Sequence, residues 1–157
     1  MIIVTQKNFT MKVVQMSGKT YKSIYYHIVF ITKKRQPFLN ENIKEKVYHF
    51  IWNKCKKLKF YLHRIGGTKD HVHLLIYIPP KMSVSHAVGL IKVSSSYFIN
   101  QELAGYDILY WQNGFGVLTL SKNDFHRVYY YIKNQEEHHK TGDIIKEYEK
   151  INFKEDE

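Results

Sequence analysis

The segment Asp70-His71-Val72-His73-Leu74-Leu75-Ile76 decides the fold that we predict for this chain. Its residues alternate within an apolar run, which predicts a β-strand with His71 and His73 on one face and Val72 and Leu74 on the other. The preceding Asp70 either orients one imidazole or caps the turn that enters the strand.

The segments around this strand predict alternating strands and helices. They comprise a strand over 21–32, a helix over 41–57, strands over 61–65 and 71–78, a helix over 84–102, a strand over 111–120 and a helix over 122–140. Asn40, Ser83 and Ser121 are the predicted N-caps. This order predicts an α+β fold: a ferredoxin-like (split βαβ) antiparallel sheet with helices on one face, plus an extra C-terminal helix. The histidine strand is then central in the sheet.

Length and composition are those of one folded domain. The 157 residues are 44% hydrophobic and 15% aromatic, enough for a substantial core. We assign residues 1–18 to an N-terminal extension, 19–140 to the main domain and 141–157 to an acidic tail. No apolar run approaches the ~18 residues of a membrane span, and no secretory signal is evident. With Cys55 as the one cysteine, we expect a cytoplasmic, reduced protein without a membrane partner.

The net charge of +10 is uneven, because residues 143–157 carry −3 and residues 1–142 carry +13. A basic body favours a polyanion, with nucleic acid first and an anionic membrane second, although charge of this size also serves ordinary solubility.

The last predicted helix carries three consecutive tyrosines, and helical geometry separates them. Positions i and i+4 share a face, so Tyr131 points in the same direction as Gln135, at the edge of the face that packs on the sheet. Tyr130 lies on the opposite side and Tyr129 on a flank. The alternative is that Tyr131 is an amphipathic aromatic at the core boundary and that Gln135 bonds nearby backbone.

Taken together, the histidine pair, the amide and the phenol are the parts of a metal-assisted phosphoryl-transfer site. Cα atoms two residues apart on a strand are about 7 Å apart, so His71 and His73 can reach one divalent ion. For an isolated pair, polar residues on a sheet face are an equally good interpretation. A phenol with a pKa near ~10 needs a neighbouring cation to act as a nucleophile at neutral pH.

Several motifs in the chain, taken together, resemble those of one protein family. They are Tyr26-His27-Ile28-Val29-Phe30, the Asp70–Ile76 segment, Pro79-Pro80 with Ser83, Lys92 with Ser94-Ser95-Ser96, Trp111-Gln112-Asn113-Gly114-Phe115-Gly116 and Tyr131-Ile132-Lys133-Asn134-Gln135. From about residue 21 to 140 the chain resembles the single-tyrosine, histidine-hydrophobic-histidine (HUH) transposases of the insertion-sequence 200/605 type. Phe115 and Val93 depart from that pattern, where the family often has Tyr and Gly, and neither position is catalytic.

The resemblance implies that His71, His73 and Gln135 bind a divalent metal ion, with Mg²⁺ or Mn²⁺ expected. It also implies that Tyr131 attacks single-stranded DNA, forming a 5′-phosphotyrosine and freeing a 3′-OH. Family members recognise DNA hairpins near the element ends and usually act as homodimers, in which the tyrosine helix of one subunit can complete the site of the other.

Other residues remain open to two interpretations. The candidates for phosphate contacts are Lys33, Lys34, Arg35, Lys92 and Arg127. For each of them, a place on a solvated charged face is an equally good interpretation. His138 and His139 are expected to be cations at a helix C-terminus rather than ligands of a second metal. The aromatics Tyr97, Phe98, Tyr110 and Trp111 either stack on bases or, by default, pack in the core.

Two other functions are alternatives to a transposase. One is a non-catalytic protein that binds single-stranded nucleic acid on the same fold, although base stacking needs neither the histidine pair nor the tyrosine helix. The other is a domesticated relative that nicks and rejoins host DNA.

Overall fold

The structure, a computed structural model, describes residues 21–151, so the predicted N-terminal extension over 1–18 lies outside the described residues. Four strands form one antiparallel sheet in the order β2-β3-β1-β4. The strands are β1 (Tyr25–Ile31), β2 (Tyr61–Gly67), β3 (His71–Tyr77) and β4 (Gly116–Leu120), and the helices are α1 (Glu41–Lys57), α2 (Val84–Tyr97), α3 (Phe125–Lys133) and α4 (Gln135–Thr141). This is the predicted ferredoxin-like, α+β arrangement, with β3 central.

Alternation along the central strands divides the molecule into two layers. Val72, Leu74 and Ile76 of β3 are fully buried in one apolar cluster with side chains from α1 and α2, including Val47 and Ile91. We call this side of the sheet the apolar face. Its residues alternate with His71, His73 and Leu75, which therefore point to the other side.

The opposite side of the sheet, which we call the histidine face, is covered by α3. Val128 and Ile132 of α3 are buried against Leu75 of β3. The helix lies close because Gly66 of β2 has no side chain: a Cβ at this position would collide with the backbone carbonyl oxygen of Ile132. Gly66 therefore sets how closely the helix that carries Tyr131 approaches the sheet.

The prediction of one continuous helix over 122–140 is wrong. Ser121 accepts a hydrogen bond from the backbone N–H of Asp124 at 3.3 Å, so it caps a turn before α3 rather than the helix itself. Asn134 then interrupts the helix, with φ −106° and ψ 24°. Asparagine is a weak helix former because its short polar side chain competes for backbone hydrogen bonds. As a result, Tyr131 and Gln135 lie on different helices.

The strands β1, β2 and β3 differ from their predicted bounds by one to four residues at an end, and two other elements differ more. The second helix is α-helical only to Tyr97, and Phe98–Ala104 continues it as a π-helix. The fourth strand begins at Gly116 rather than at residue 111. In the predicted first half of this strand, the pairing is an isolated bridge between Thr32 and Trp111. Within residues 21–151, no helix is long and apolar enough to cross a membrane.

Candidate active site

His71 is buried at the start of β3, and hydrogen bonds to its Nδ1 fix the orientation of the ring. Its Nδ1 lies 2.7 Å from Oδ1 of Asp70, and the hydroxyl of Thr68 lies 2.9 Å from both atoms. Burial opposes ionisation of Asp70, but hydrogen bonds from His71, Thr68 and Arg35 hold its pKa below the ordinary value. Because an ionised carboxylate only accepts, the Nδ1 of His71 donates to Asp70, and the Nε2 of His71 points into the site.

His73 is held by a second histidine, His27 of β1. The Nδ1 of His73 lies 2.8 Å from the Nε2 of His27, and the two rings stack with their centroids 5.1 Å apart. Burial lowers the pKa of His27 to about 3, and it lowers the pKa of His73 as well, so both rings are neutral. A cation on the Nε2 of His73 requires the proton on Nδ1, which then donates to His27.

Gln135, the first residue of α4, faces His71. Its Oε1 lies 2.9 Å from the Nε2 of His71, and its amide nitrogen donates to Oε1 of Glu149 at 3.2 Å. The 2.9 Å contact is a hydrogen bond to Gln135 when the Nε2 of His71 carries a proton. Adjacent ligands of an octahedral divalent ion, at metal–ligand distances of about 2.1 Å, are about 3.0 Å apart. The 2.9 Å separation between the ligand atoms of His71 and Gln135 therefore suits two neighbouring ligands of one divalent cation, and His73 is the third residue predicted to bind it.

Tyr131 projects from α3 toward the same group. Its hydroxyl donates to Oε1 of Glu149 at 2.5 Å, and its ring centroid lies 6.1 Å from that of His73. Burial and the hydrogen bond to the Glu149 carboxylate raise the pKa of the phenol above its ordinary value. Tyr130, by contrast, is 56% exposed. Within this chain, Tyr131 thus points toward the histidines, whereas Tyr130 points away from them.

Glu149 lies among the predicted site residues although the sequence did not suggest it. Its Oε2 is 3.2 Å from the Nε2 of His73 and 3.5 Å from the Nε2 of His71. Burial opposes its ionisation, but hydrogen bonds from His73 and Tyr131 hold the pKa of the carboxyl below its ordinary value. No periodicity in residues 141–157 points to this position. The one indication is an aromatic residue, Tyr148, beside it in a charged segment.

His139 of α4 also reaches the site. Its ring centroid is 4.8 Å from that of His71, and its buried Nε2 has no hydrogen-bond partner among the described residues. Ligand atoms of His71, His139 and Glu149 lie within 4.8 Å of one another. His138 instead stacks on the Tyr131 ring, with centroids 4.8 Å apart. His138 and His139 were predicted to be cations at a helix C-terminus. The structure places both in the last turn of α4 and also beside the site residues Tyr131 and His71.

Of the five basic residues predicted to contact phosphate, Lys34 and Lys92 meet at one loop, since the backbone N–H of Lys34 donates to Oε1 of Gln112 at 3.0 Å. Lys33 and Lys34 are exposed after β1, and Arg35 pairs with Asp70 at 3.2 Å. Lys92 donates to the backbone carbonyls of Gln112 and Gly114 at 2.6 and 2.8 Å, so it holds a loop. Arg127 pairs with Asp124 at 3.0 Å. Arg35 reaches the histidine site through Asp70, and Arg127 lies over the ring of Tyr148, 5.8 Å from its centroid.

The candidate base-stacking aromatics divide into two pairs. The ring of Trp111 packs on Phe30, and that of Phe98 stacks on Phe50, with centroids 4.7 and 4.5 Å apart, as in a core. Tyr97 and Tyr110 are 61% and 46% exposed.

Comparison with known proteins gives one consistent result. A family model described as "Transposase IS200 like" matches residues 20–135. The transposases for insertion sequence element IS200 from Salmonella typhimurium strain LT2 and from Salmonella typhi are each 34% identical over 126 residues, covering 76% of this chain and 82% of theirs. A REP-associated tyrosine transposase, solved bound to a REP hairpin, has the same fold, with a TM-score of 0.57 at 16% identity over 81% of this chain and 76% of that one. The chain therefore belongs to the IS200-like transposase family.

Proposed function

We propose that this protein is a transposase that cleaves and rejoins single-stranded DNA through a covalent 5′-phosphotyrosine on Tyr131. The observation that carries the proposal is the convergence, within one chain of this family, of the Tyr131 hydroxyl, two imidazole Nε2 atoms and the amide oxygen of Gln135. Such a convergence is unusual for residues that serve packing alone.

Each of these side chains has a distinct task in the proposed reaction. His71, His73 and Gln135 hold a divalent ion, with Mg²⁺ or Mn²⁺ expected, which polarises a phosphate oxygen when bound. Asp70 fixes the tautomer of His71, and His27 accepts the Nδ1 proton that His73 carries when its Nε2 binds the ion. The hydrogen bond from Tyr131 to Glu149 at 2.5 Å orients the phenol toward the same point.

The bond changes in the proposed cleavage balance without any further reactant. The phenolic oxygen of Tyr131 forms a bond to phosphorus, and the bond from phosphorus to the 3′ oxygen breaks. The phenol gives up one proton and the released 3′ oxygen gains one, so the products are a 5′-phosphotyrosine and a 3′-OH. Rejoining is the reverse attack by a 3′-OH on the phosphotyrosine. Because a phosphodiester replaces a phosphodiester, no energy source is needed.

The expected substrate is single-stranded DNA that carries hairpins. The hairpin in the related solved structure supports this, and the charge of +13 on residues 1–142 suits a polyanion. Phosphate contacts through Lys33, Lys34, Arg35, Lys92 and Arg127 belong to this proposal, as do a homodimer and a cytoplasmic location. Size-exclusion chromatography with light scattering checks the oligomeric state.

The decisive experiment looks for the covalent intermediate. The protein is incubated with Mn²⁺ and 5′-labelled or 3′-labelled single strands that carry candidate hairpins, and denaturing gels then separate protein–DNA adducts. We expect an adduct with 3′-labelled DNA, which keeps the 5′-phosphate side of the cut, and its loss in Tyr131→Phe. Tyr130→Phe and Tyr129→Phe are the matched controls and should retain the adduct. An adduct that survives in Tyr131→Phe contradicts the assignment.

A further inference from the structure

The carboxylate of Glu149 occupies the side of the histidine pair that Gln135 leaves open. Its Oε2 faces both imidazole nitrogens, at 3.2 Å from His73 and 3.5 Å from His71. Without an ion, the shorter contact is a hydrogen bond from His73. Both separations also match those of neighbouring ligand atoms on one divalent ion, about 3.0 Å for an octahedral and slightly more for a tetrahedral geometry. Moreover, His71, His73 and Gln135 are all neutral ligands, whereas Mg²⁺ and Mn²⁺ favour anionic oxygen.

The position of Glu149 is fixed by the residues on either side of it. The preceding Tyr148 is 4% exposed and packs edge-on against the rings of His27 and Tyr131, with centroids 5.1 and 5.0 Å away. On the other side, the backbone of Lys150 passes so close to β4 that a Cβ at Gly116 would collide with its carbonyl oxygen. Packing of its two neighbours therefore holds the Glu149 carboxylate in place.

We propose, on the basis of the function proposed above, that Glu149 is a fourth protein ligand of the divalent cation, binding through Oε2. Its Oε1 remains the acceptor for the Tyr131 hydroxyl, at 2.5 Å, and for the amide of Gln135, at 3.2 Å. One carboxylate thus joins the cation to the nucleophile. The ligand set carries one negative charge, which favours hard cations, and an octahedral ion keeps roughly two positions for phosphate oxygens.

Binding of Mn²⁺ in the absence of DNA tests this proposal separately from catalysis. Free Mn²⁺ is followed by electron paramagnetic resonance during titration of the full chain and of three variants: Glu149→Gln, Glu147→Gln and His71→Ala. We expect Glu149→Gln to weaken Mn²⁺ binding at least ~10-fold, and His71→Ala to abolish specific binding. Glu147→Gln removes the same charge from an exposed position of the same segment, so its affinity should equal that of the wild type.

The results distinguish failure of this proposal from failure of the proposed function. If Glu149→Gln binds Mn²⁺ as tightly as Glu147→Gln while His71→Ala does not bind, the carboxylate is not a ligand, and the proposed function still stands. A gain of adduct in Glu149→Gln at unchanged Mn²⁺ affinity also overturns the proposal, because Glu149 would then only block the phosphate position. If His71→Ala binds Mn²⁺ normally, the metal role in the proposed function fails, and this proposal fails with it.

A conservative variant covers the case in which Glu149→Gln does not fold. Glu149→Asp keeps the charge and shortens the side chain by one methylene, so we expect Mn²⁺ affinity between those of the wild type and Glu149→Gln. Circular dichroism without metal checks that each variant is folded. Wild-type affinity in a folded Glu149→Ala variant would overturn the proposal.

Discussion

The two faces of β3 are equally buried but are stabilised in different ways. On the apolar face, Val72, Leu74 and Ile76 need only volume and shape from α1 and α2. On the histidine face, His71 and His73 are 1% and 0% exposed, and each ring needs partners for both nitrogens. Those partners come from the turn before β3, from β1, from α4 and from the segment after α4. Burial on one face thus depends on packing, whereas on the other it depends on polar groups brought together from distant parts of the chain.

The largest effect on adduct formation is expected from a substitution on the histidine face. His73→Ala removes one of the two imidazoles of the proposed metal site, and we expect adduct formation to fall by at least ~100-fold, since even partners of metal ligands contribute ~10–100-fold. Initial rates of adduct formation at saturating Mn²⁺ measure this. An unchanged rate would mean that the chemistry does not use this face.

The matched change on the apolar face is Leu74→Ala, one residue further along β3. Removing a fully buried leucine should reduce the free energy of unfolding by about 2–5 kcal/mol. The adduct yield per folded molecule should stay near that of the wild type. Urea denaturation and adduct formation at 15 °C measure the two quantities. Loss of activity in fully folded Leu74→Ala would show that the two faces are coupled.

Gly66→Ala changes the spacing between α3 and the sheet without touching a polar side chain. The added Cβ would collide with the Ile132 carbonyl oxygen, so α3 must shift, at a cost of about 1–3 kcal/mol. We expect slower adduct formation because Tyr131 moves with α3. Gly89→Ala on α2 is the control, since a Cβ there has no neighbour within 4 Å. Equal adduct rates for the two variants would contradict this role of Gly66.

The smallest effect concerns Cys55, a buried thiol of α1 on the apolar face. Burial raises the pKa of its thiol to about 12. Because the thiolate is the reactive form and forms only as the pH approaches that value, we expect almost no reaction with a disulfide reagent between pH 7 and 9. Absorbance of the released thiolate measures the rate, with urea-unfolded protein as the reference. Rapid labelling of the folded protein would show that α1 separates from the sheet.

Periodicity predicted the elements that depend on local pattern. The bounds of α1 are as predicted, and β3 differs from its prediction by one residue. The shared direction of Tyr131 and Gln135 also came from helical geometry, although Asn134 separates their helices.

What the sequence did not indicate depends on contacts between distant segments. His27 is recognisable as part of a family motif, but its hydrogen bond to His73 exists only because β1 and β3 are paired. Glu149 reaches the site because Tyr148 packs between His27 and Tyr131, a contact that no local pattern encodes.

The presence of the tyrosine and both histidines in one chain has a consequence for reaction order. When a single molecule contains every group that a cleavage needs, the initial rate is proportional to protein concentration, and dilution does not change the turnover of each molecule. An initial rate that rises with the square of the protein concentration would instead show that the tyrosine helix of one subunit completes the site of another.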